Sequence, residues 1–139
     1  MVKGRGVAPG SGEGQALISR SPFMFAHGVE PKTGDVIDKR SDILGHNIKG
    51  RVLIFPSGKG STTGSAWFLE ALRQGNGPAA VINVETEPII ATALVLARLL
   101  YGITIPLVDR LEEDILGVVD EGILIRVDGD RGEVSFPIA

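Results

Sequence analysis

From Gly58 to Ser65 the chain reads G-K-G-S-T-T-G-S. One lysine (Lys59), four hydroxyls (Ser61, Thr62, Thr63, Ser65) and three glycines (Gly58, Gly60, Gly64) fall within a single turn. Hydroxyls and an ammonium at that density can grip a phosphate or carboxylate or stabilise a developing oxyanion, and glycines let backbone amides come close to it. Capping a helix needs only one hydroxyl, and a purely structural cap is the plain alternative to a site. A Walker A loop is excluded. It needs a glycine where Leu53 stands and a Ser or Thr directly after the lysine, where Gly60 stands.

The flanking elements must place this turn. Arg51–Phe55 is a short apolar, β-branched run of buried-strand type, and Pro56 stops it. Ala66–Arg73 has helical composition. A strand therefore runs through a glycine- and hydroxyl-rich turn into a helix. The first amides of a helix lack intrahelical partners and carry the positive end of its dipole, so such a turn attracts anions.

Composition removes other classes. The chain has 139 residues, enough for one domain with an independent core, and residues 1–139 are read as a single unit. Its formal net charge of −3 and its few aromatics offer neither a basic field nor stacking platforms for nucleic acid. Cysteine is absent, so the chain has no disulfide, no thiol nucleophile and no thiolate for an iron–sulfur cluster. With only His27 and His46, a zinc site is not expected, and no metal ligands are assigned. The longest apolar stretch, Ile89–Leu100, is interrupted by Arg98 and too short for a span of ~20 residues. A soluble, cytoplasmic protein without membrane contact is expected.

Along the chain, Gly4–Ser19 reads as a strand, a loose glycine-rich connection and a second strand. Pro31–Gly34 has tight-turn chemistry, Asp35–Asp38 reads as a short strand, and Asp38–Asp42 as a solvated charge cluster. His27, beside Gly28, reads as a structural residue or as part of a pocket wall, and His46, in an exposed turn, as structural. Gly75–Gly77 close the first helix, Ala79–Val84 is a buried strand, and Glu87-Pro88 opens a second helix that Gly102 ends. The stripe Ile89, Ile90, Leu94, Val95, Leu99, Leu100 is expected to be core. Ile103–Val108 is a further strand, with Pro106 marking an edge position or a strand end. Leu111–Gly117 reads as a short helical turn. Gly122–Val127 and Glu133–Pro137 flank a hairpin whose Gly129 and Gly132 supply unusual backbone angles. Strands at both ends around a β-α-β-α-β centre define a layered mixed α/β domain.

These residues carry a resemblance that covers nearly the whole chain. The G-x-G-x-A-x-G-x-G-E-G-x-A opening (Gly4–Ala16), P-F-M-F-A-H-G-V-E-P-x-T-G, the block from Ile48 to Ser65 and G-P-A-A-V-I-N resemble the small subunits of the aconitase X group. P-S-G-K-G-S-T-T-G-S is the specific part. The resemblance implies a swivelling β/β/α layered domain like the mobile domain of aconitase. It also implies a hetero-oligomer with a large subunit that holds a 4Fe-4S cluster. The implied reaction is a hydro-lyase step of the archaeal mevalonate route to isoprenoids, from (R)-mevalonate 5-phosphate to trans-anhydromevalonate 5-phosphate. By motif position Ser61 would be the proton acceptor, and Lys59, Gly60, Thr62, Gly64 and Ser65 would bind substrate or orient the loop. The family often has arginine at the place of Lys59; lysine keeps the charge but loses the bidentate fork. Relatives of the same group dehydrate cis-3-hydroxy-L-proline, and the loop alone does not separate the two substrates. A phosphohistidine carrier would need a histidine within Gly58–Ser65, where none stands. A non-catalytic anion-binding module is the remaining alternative, and it would bind its ligand alone.

Overall fold

The computed structural model describes residues 1–137. In chain order the elements are β1 (Val2–Lys3), β2 (Arg5–Ala8), β3 (Ser11–Ile18), β4 (Val52–Phe55), α1 (Thr62–Arg73), β5 (Ala80–Asn83), α2 (Pro88–Tyr101), β6 (Leu107–Asp109), α3 (Ile115–Val118), β7 (Leu124–Asp128) and β8 (Glu133–Ser135). The strands hydrogen-bond in the order β1-β8-β7-β3-β4-β5-β6-β2. β3, β4, β5 and β6 are parallel neighbours; the other pairings are antiparallel.

β3 joins two layers. Ser11–Gln15 pair with β7, and Ala16–Ile18 pair with β4. The strands of the parallel part alternate strictly, with both faces buried. Ala16, Ile18, Val52, Ile54, Ala80, Ile82 and Val108 face one way and pack against Ile125, Val127 and Val134 of the β7–β8 hairpin. Leu17, Leu53, Phe55, Val81 and Leu107 face the other way and pack against Phe68 and Leu72 of α1 and Ile90 and Leu94 of α2. Period-2 side chains between two apolar layers give the β/β/α architecture. No helix among the described residues is long and apolar enough to cross a membrane.

Several boundaries differ from the sequence reading. The glycine-rich connection within Gly4–Ser19 is ordered β3, because its glycines lie against neighbouring backbone. A Cβ at Gly12 would stand 2.2 Å from the Ala79 carbonyl oxygen, and one at Gly14 would stand 2.4 Å from that of Gly50. Asp35–Asp38 forms only isolated bridges, Asp35 with Asn47 and Val36 with Val29. Pro106 is a strand end: it precedes β6, which lies inside the sheet between β5 and β2. In the terminal hairpin Gly132 has φ +68°, whereas Gly129 is required for space, since its Cβ would come 2.0 Å from the Ala8 carbonyl oxygen.

The apolar stripe of α2 is only partly core. Ile90, Ala93, Leu94 and Ala97 are buried, while Val95, Leu99 and Leu100 are 51%, 69% and 61% exposed. At 100° per residue these three lie away from the Ile90–Leu94 line, and the alanines between let α2 pack closely. Gly102, at φ 66°, ends the helix as expected.

Candidate functional site

Phe55 ends β4 at the carboxyl edge of the parallel strands, where open α/β sheets bind ligands. Four phenylalanines floor this region. Phe25 stacks on Phe68 of α1 at 4.1 Å, and Phe23 meets Phe25 and Phe55 at 5.1 and 5.4 Å. The turn after Pro56 is laced to the Phe23 segment: the Phe23 amide donates to the Ser57 carbonyl at 2.9 Å, and the Lys59 amide donates to the Phe23 carbonyl at 3.0 Å. Gly60 then turns the chain at φ +115°, a conformation that L side chains rarely adopt.

That turn delivers Ser61, in extended conformation, to the N-cap of α1. Its Oγ accepts the Thr63 amide at 3.3 Å, and its carbonyl accepts the Gly64 amide at 2.9 Å. The helix therefore begins at Thr62, four residues before the Ala66 start expected from composition. Thr-Thr-Gly-Ser is a poor helix-forming run, and the cap and packing override propensity.

The candidate residues separate into two sets. Lys59, Gly60, Ser61, Thr62 and Thr63 are exposed together. Gly64 and Ser65 are buried and face α2: the Ser65 Oγ donates to the Ile89 carbonyl at 2.8 Å, and a Cβ at Gly64 would lie 3.2 Å from Ile89 Cγ2. They hold the loop from below. Met24 lies beside Gly60, with Cγ and Sδ 3.6 Å from where a Cβ would stand. Neither Met24 nor Glu87, the N-cap of α2, was singled out for this site in the sequence, because their places depend on contacts distant in the chain. His27, at φ 56°, packs its ring 4.6 Å from that of Trp67 on α1, and His46 lies in an exposed turn.

The charges at this edge are mostly mutually satisfied. Asp109, fully buried at the end of β6, accepts Arg5 Nε and Nη2 at 2.9 and 2.7 Å and the Thr86 amide at 2.9 Å. Burial pushes the Asp109 carboxyl up, but hydrogen bonds from Arg5 and Thr86 together with the Arg5 charge hold it below its ordinary value. Arg110 binds Glu85 with both Nε and Nη2, and those bonds hold the Glu85 carboxyl low. Lys59, by contrast, forms no ion pair among the described residues, so its charge is available to a ligand. No group of three or more His, Asp or Glu among the described residues could hold a metal. What the chain presents is an exposed hydroxyl at the positive end of a twelve-residue helix, beside one free ammonium.

This fold and this serine turn define a class. The chain belongs to the aconitase X swivel domain family, whose model matches residues 1–136. It is 41% identical over 135 residues to the phosphomevalonate dehydratase small subunit of Methanosarcina acetivorans, covering 97% of this chain and 90% of that one. The protein of the same name from Pyrococcus furiosus is 42% identical, with 97% and 94% covered. Among solved structures, Thermococcus kodakaraensis aconitase X in its holo-form superposes with a TM-score of 0.87 at 39% identity, over 98% of this chain and 97% of that one.

Proposed function

We propose that this chain is the small subunit of a phosphomevalonate dehydratase, which removes water from (R)-mevalonate 5-phosphate to give trans-anhydromevalonate 5-phosphate. One observation carries the reading: an exposed Ser61 at the N-cap of α1, on a chain 41–42% identical over nearly its full length to small subunits of that name. Ser61 Oγ takes the proton from the carbon next to the substrate carboxylate. A serine hydroxyl is a weak base in water. Here the Thr63 amide already points at Oγ, and the helix dipole favours negative charge on it. The same hydrogen bond that caps the helix becomes stronger as the alkoxide forms.

Lys59 would meet an anionic group of the substrate with Thr62 beside it, a reading supported by the exposure of both residues. The loop is exposed in the isolated chain, so the large subunit must cover it to exclude water and strengthen these interactions. With no cysteine here, the thiolates of an iron–sulfur cluster belong to that subunit. The cluster, when bound, would supply Lewis acidity toward the departing hydroxyl.

The test is anaerobic purification of the tagged chain with its large subunit, followed by assay on (R)-mevalonate 5-phosphate and on cis-3-hydroxy-L-proline. Dehydration of the phosphorylated substrate by the complex, with none by the chain alone, is the expected result. Turnover of the hydroxyproline alone would move the chain to the other branch of the family. A chain that comes out alone and metal-free and binds anions unaided would be a binding module.

A further inference from the structure

The exposed stretch Lys59–Thr63 is pinned at both ends to one short segment, the N-terminus of α2. On the upstream side, a Cβ at Gly58 would stand 2.4 Å from Glu87 Oε1, 3.0 Å from Glu87 Cδ and 3.0 Å from Ile90 Cγ1. Gly58 thus rests directly on the Glu87 carboxylate. On the downstream side, Gly64 packs on Ile89, and Ser65 Oγ donates to the Ile89 carbonyl at 2.8 Å. Glu87 is itself fixed, because its two carboxylate oxygens accept the Ile89 and Ile90 amides at 2.6 and 3.0 Å.

A glutamate side chain is longer than an N-cap requires. Serine, asparagine or aspartate would take the same amides with a shorter side chain. The extra reach of Glu87 brings Oε1 to the underside of the turn, at a glycine whose lack of a side chain makes the approach possible. From this we infer that Glu87 is a positioning residue: its carboxylate, braced by the α2 amides, sets the height of the Gly58–Gly60 turn and so the placement of the Ser61 hydroxyl. The inference rests on Ser61 being the base. Glu87 acts through Gly58 and not on substrate.

Capping and positioning can be separated. Glu87→Asp retains a good N-cap and withdraws the carboxylate from Gly58. Gly58→Ala drives a methyl into the carboxylate and lifts the turn. Displacing a reacting group by around 1 Å costs on the order of 100-fold in rate, so Gly58→Ala should lower kcat of the assembled complex roughly 100-fold and Glu87→Asp roughly tenfold, with KM within about threefold of wild type. The double variant Gly58→Ala/Glu87→Asp, in which the shorter acid makes room for the methyl, should regain about tenfold over Gly58→Ala alone.

Amide hydrogen exchange on the full chain gives a readout that needs no turnover. Exchange at Lys59 and Gly64, whose amides bond to Phe23 and Ser61, should speed up in both single variants, while exchange at Phe68 in the core of α1 stays as in wild type. The inference is overturned if both single variants match wild type in kcat and in exchange, or if the double variant is no better than Gly58→Ala. If the wild-type complex fails to dehydrate (R)-mevalonate 5-phosphate, the functional reading fails separately, and the exchange pattern still decides the role of Glu87.

Discussion

The Ser61 hydroxyl has one role that the fold shows and one that is proposed, and a pair of substitutions separates them. Its Oγ caps α1 through the Thr63 amide and is the proposed proton acceptor. At 3.3 Å the capping bond is long, so its loss in Ser61→Ala belongs at the low end of measured cap effects, about 0.5–1 kcal/mol. With an unfolding entropy of about 2.1 cal/mol/K per residue, 139 residues correspond to roughly 0.3 kcal/mol per degree, so Tm should fall by about 2–3 °C. Ser61→Asn restores an equally good cap with no basic group and should return Tm to wild type. Both variants should assemble with the large subunit, because each changes one small side chain of the surface that subunit covers and leaves the core of this domain untouched. Both should lose turnover by about 100- to 10,000-fold, the range for a positioned general base. Calorimetry and an anaerobic dehydration assay on the same preparations give the two numbers. Retention of turnover within tenfold by Ser61→Asn would refute the role of the hydroxyl, and activity loss that merely tracked Tm would refute the separation.

Two further predictions test the frame that holds the serine. Phe68 is fully buried and stacked on Phe25, so Phe68→Ala should cost about 3–5 kcal/mol and lower Tm by roughly 10–17 °C; a loss below 1 kcal/mol by denaturant titration would contradict this packing. The folded-state pKa of Asp109 lies below its ordinary value of 3.8, so its contribution is fully present above that value and is lost as pH falls through the lower, folded one. Thermal unfolding followed from pH 7 to pH 2 should show stability dropping below about pH 4, and Asp109→Asn should flatten that part of the curve. An unchanged acid limb in Asp109→Asn would remove the buried ion pair as its cause.

Local chemistry made much of the fold legible. β4 is an uninterrupted apolar run stopped by Pro56, β5 is apolar from Ala80 to Ile82 after turn residues, and α2 is bracketed by Glu87-Pro88 and Gly102. The places where the reading of the residues departed from the fold share one cause, contacts between segments far apart in sequence. Gly12 and Gly14 suggest a loose connection between strands by composition, yet they are strand residues because Ala79 and Gly50 backbones press against them. Val95, Leu99 and Leu100 match a buried stripe by type, yet the close approach of α2 through Ala93 and Ala97 turns them outward. α1 begins at Thr62, since the Ser61 cap and the contacts of Gly64 and Ser65 with Ile89 outweigh the weak helix propensity of its first turn.

At the site, the residue types of Gly58–Ser65 were sufficient to mark the stretch and, with the family resemblance, to single out Ser61. Their division of labour was not readable. Lys59 to Thr63 are exposed while Gly64 and Ser65 face α2; within the helix, the division between Thr62–Thr63 and Gly64–Ser65 follows from helical phase once the helix start is known. Sequence alone determined the absence of cluster-binding thiolates, the strand–turn–helix order and the glycine pattern, because these depend on composition and local stereochemistry. Only the tertiary structure decided that Glu87 lies beneath Gly58, twenty-nine positions earlier in the chain, and that Ser65 is spent on Ile89. Those contacts arise from parallel packing of β4 and β5, which brings the loops that follow them to the same edge of the sheet.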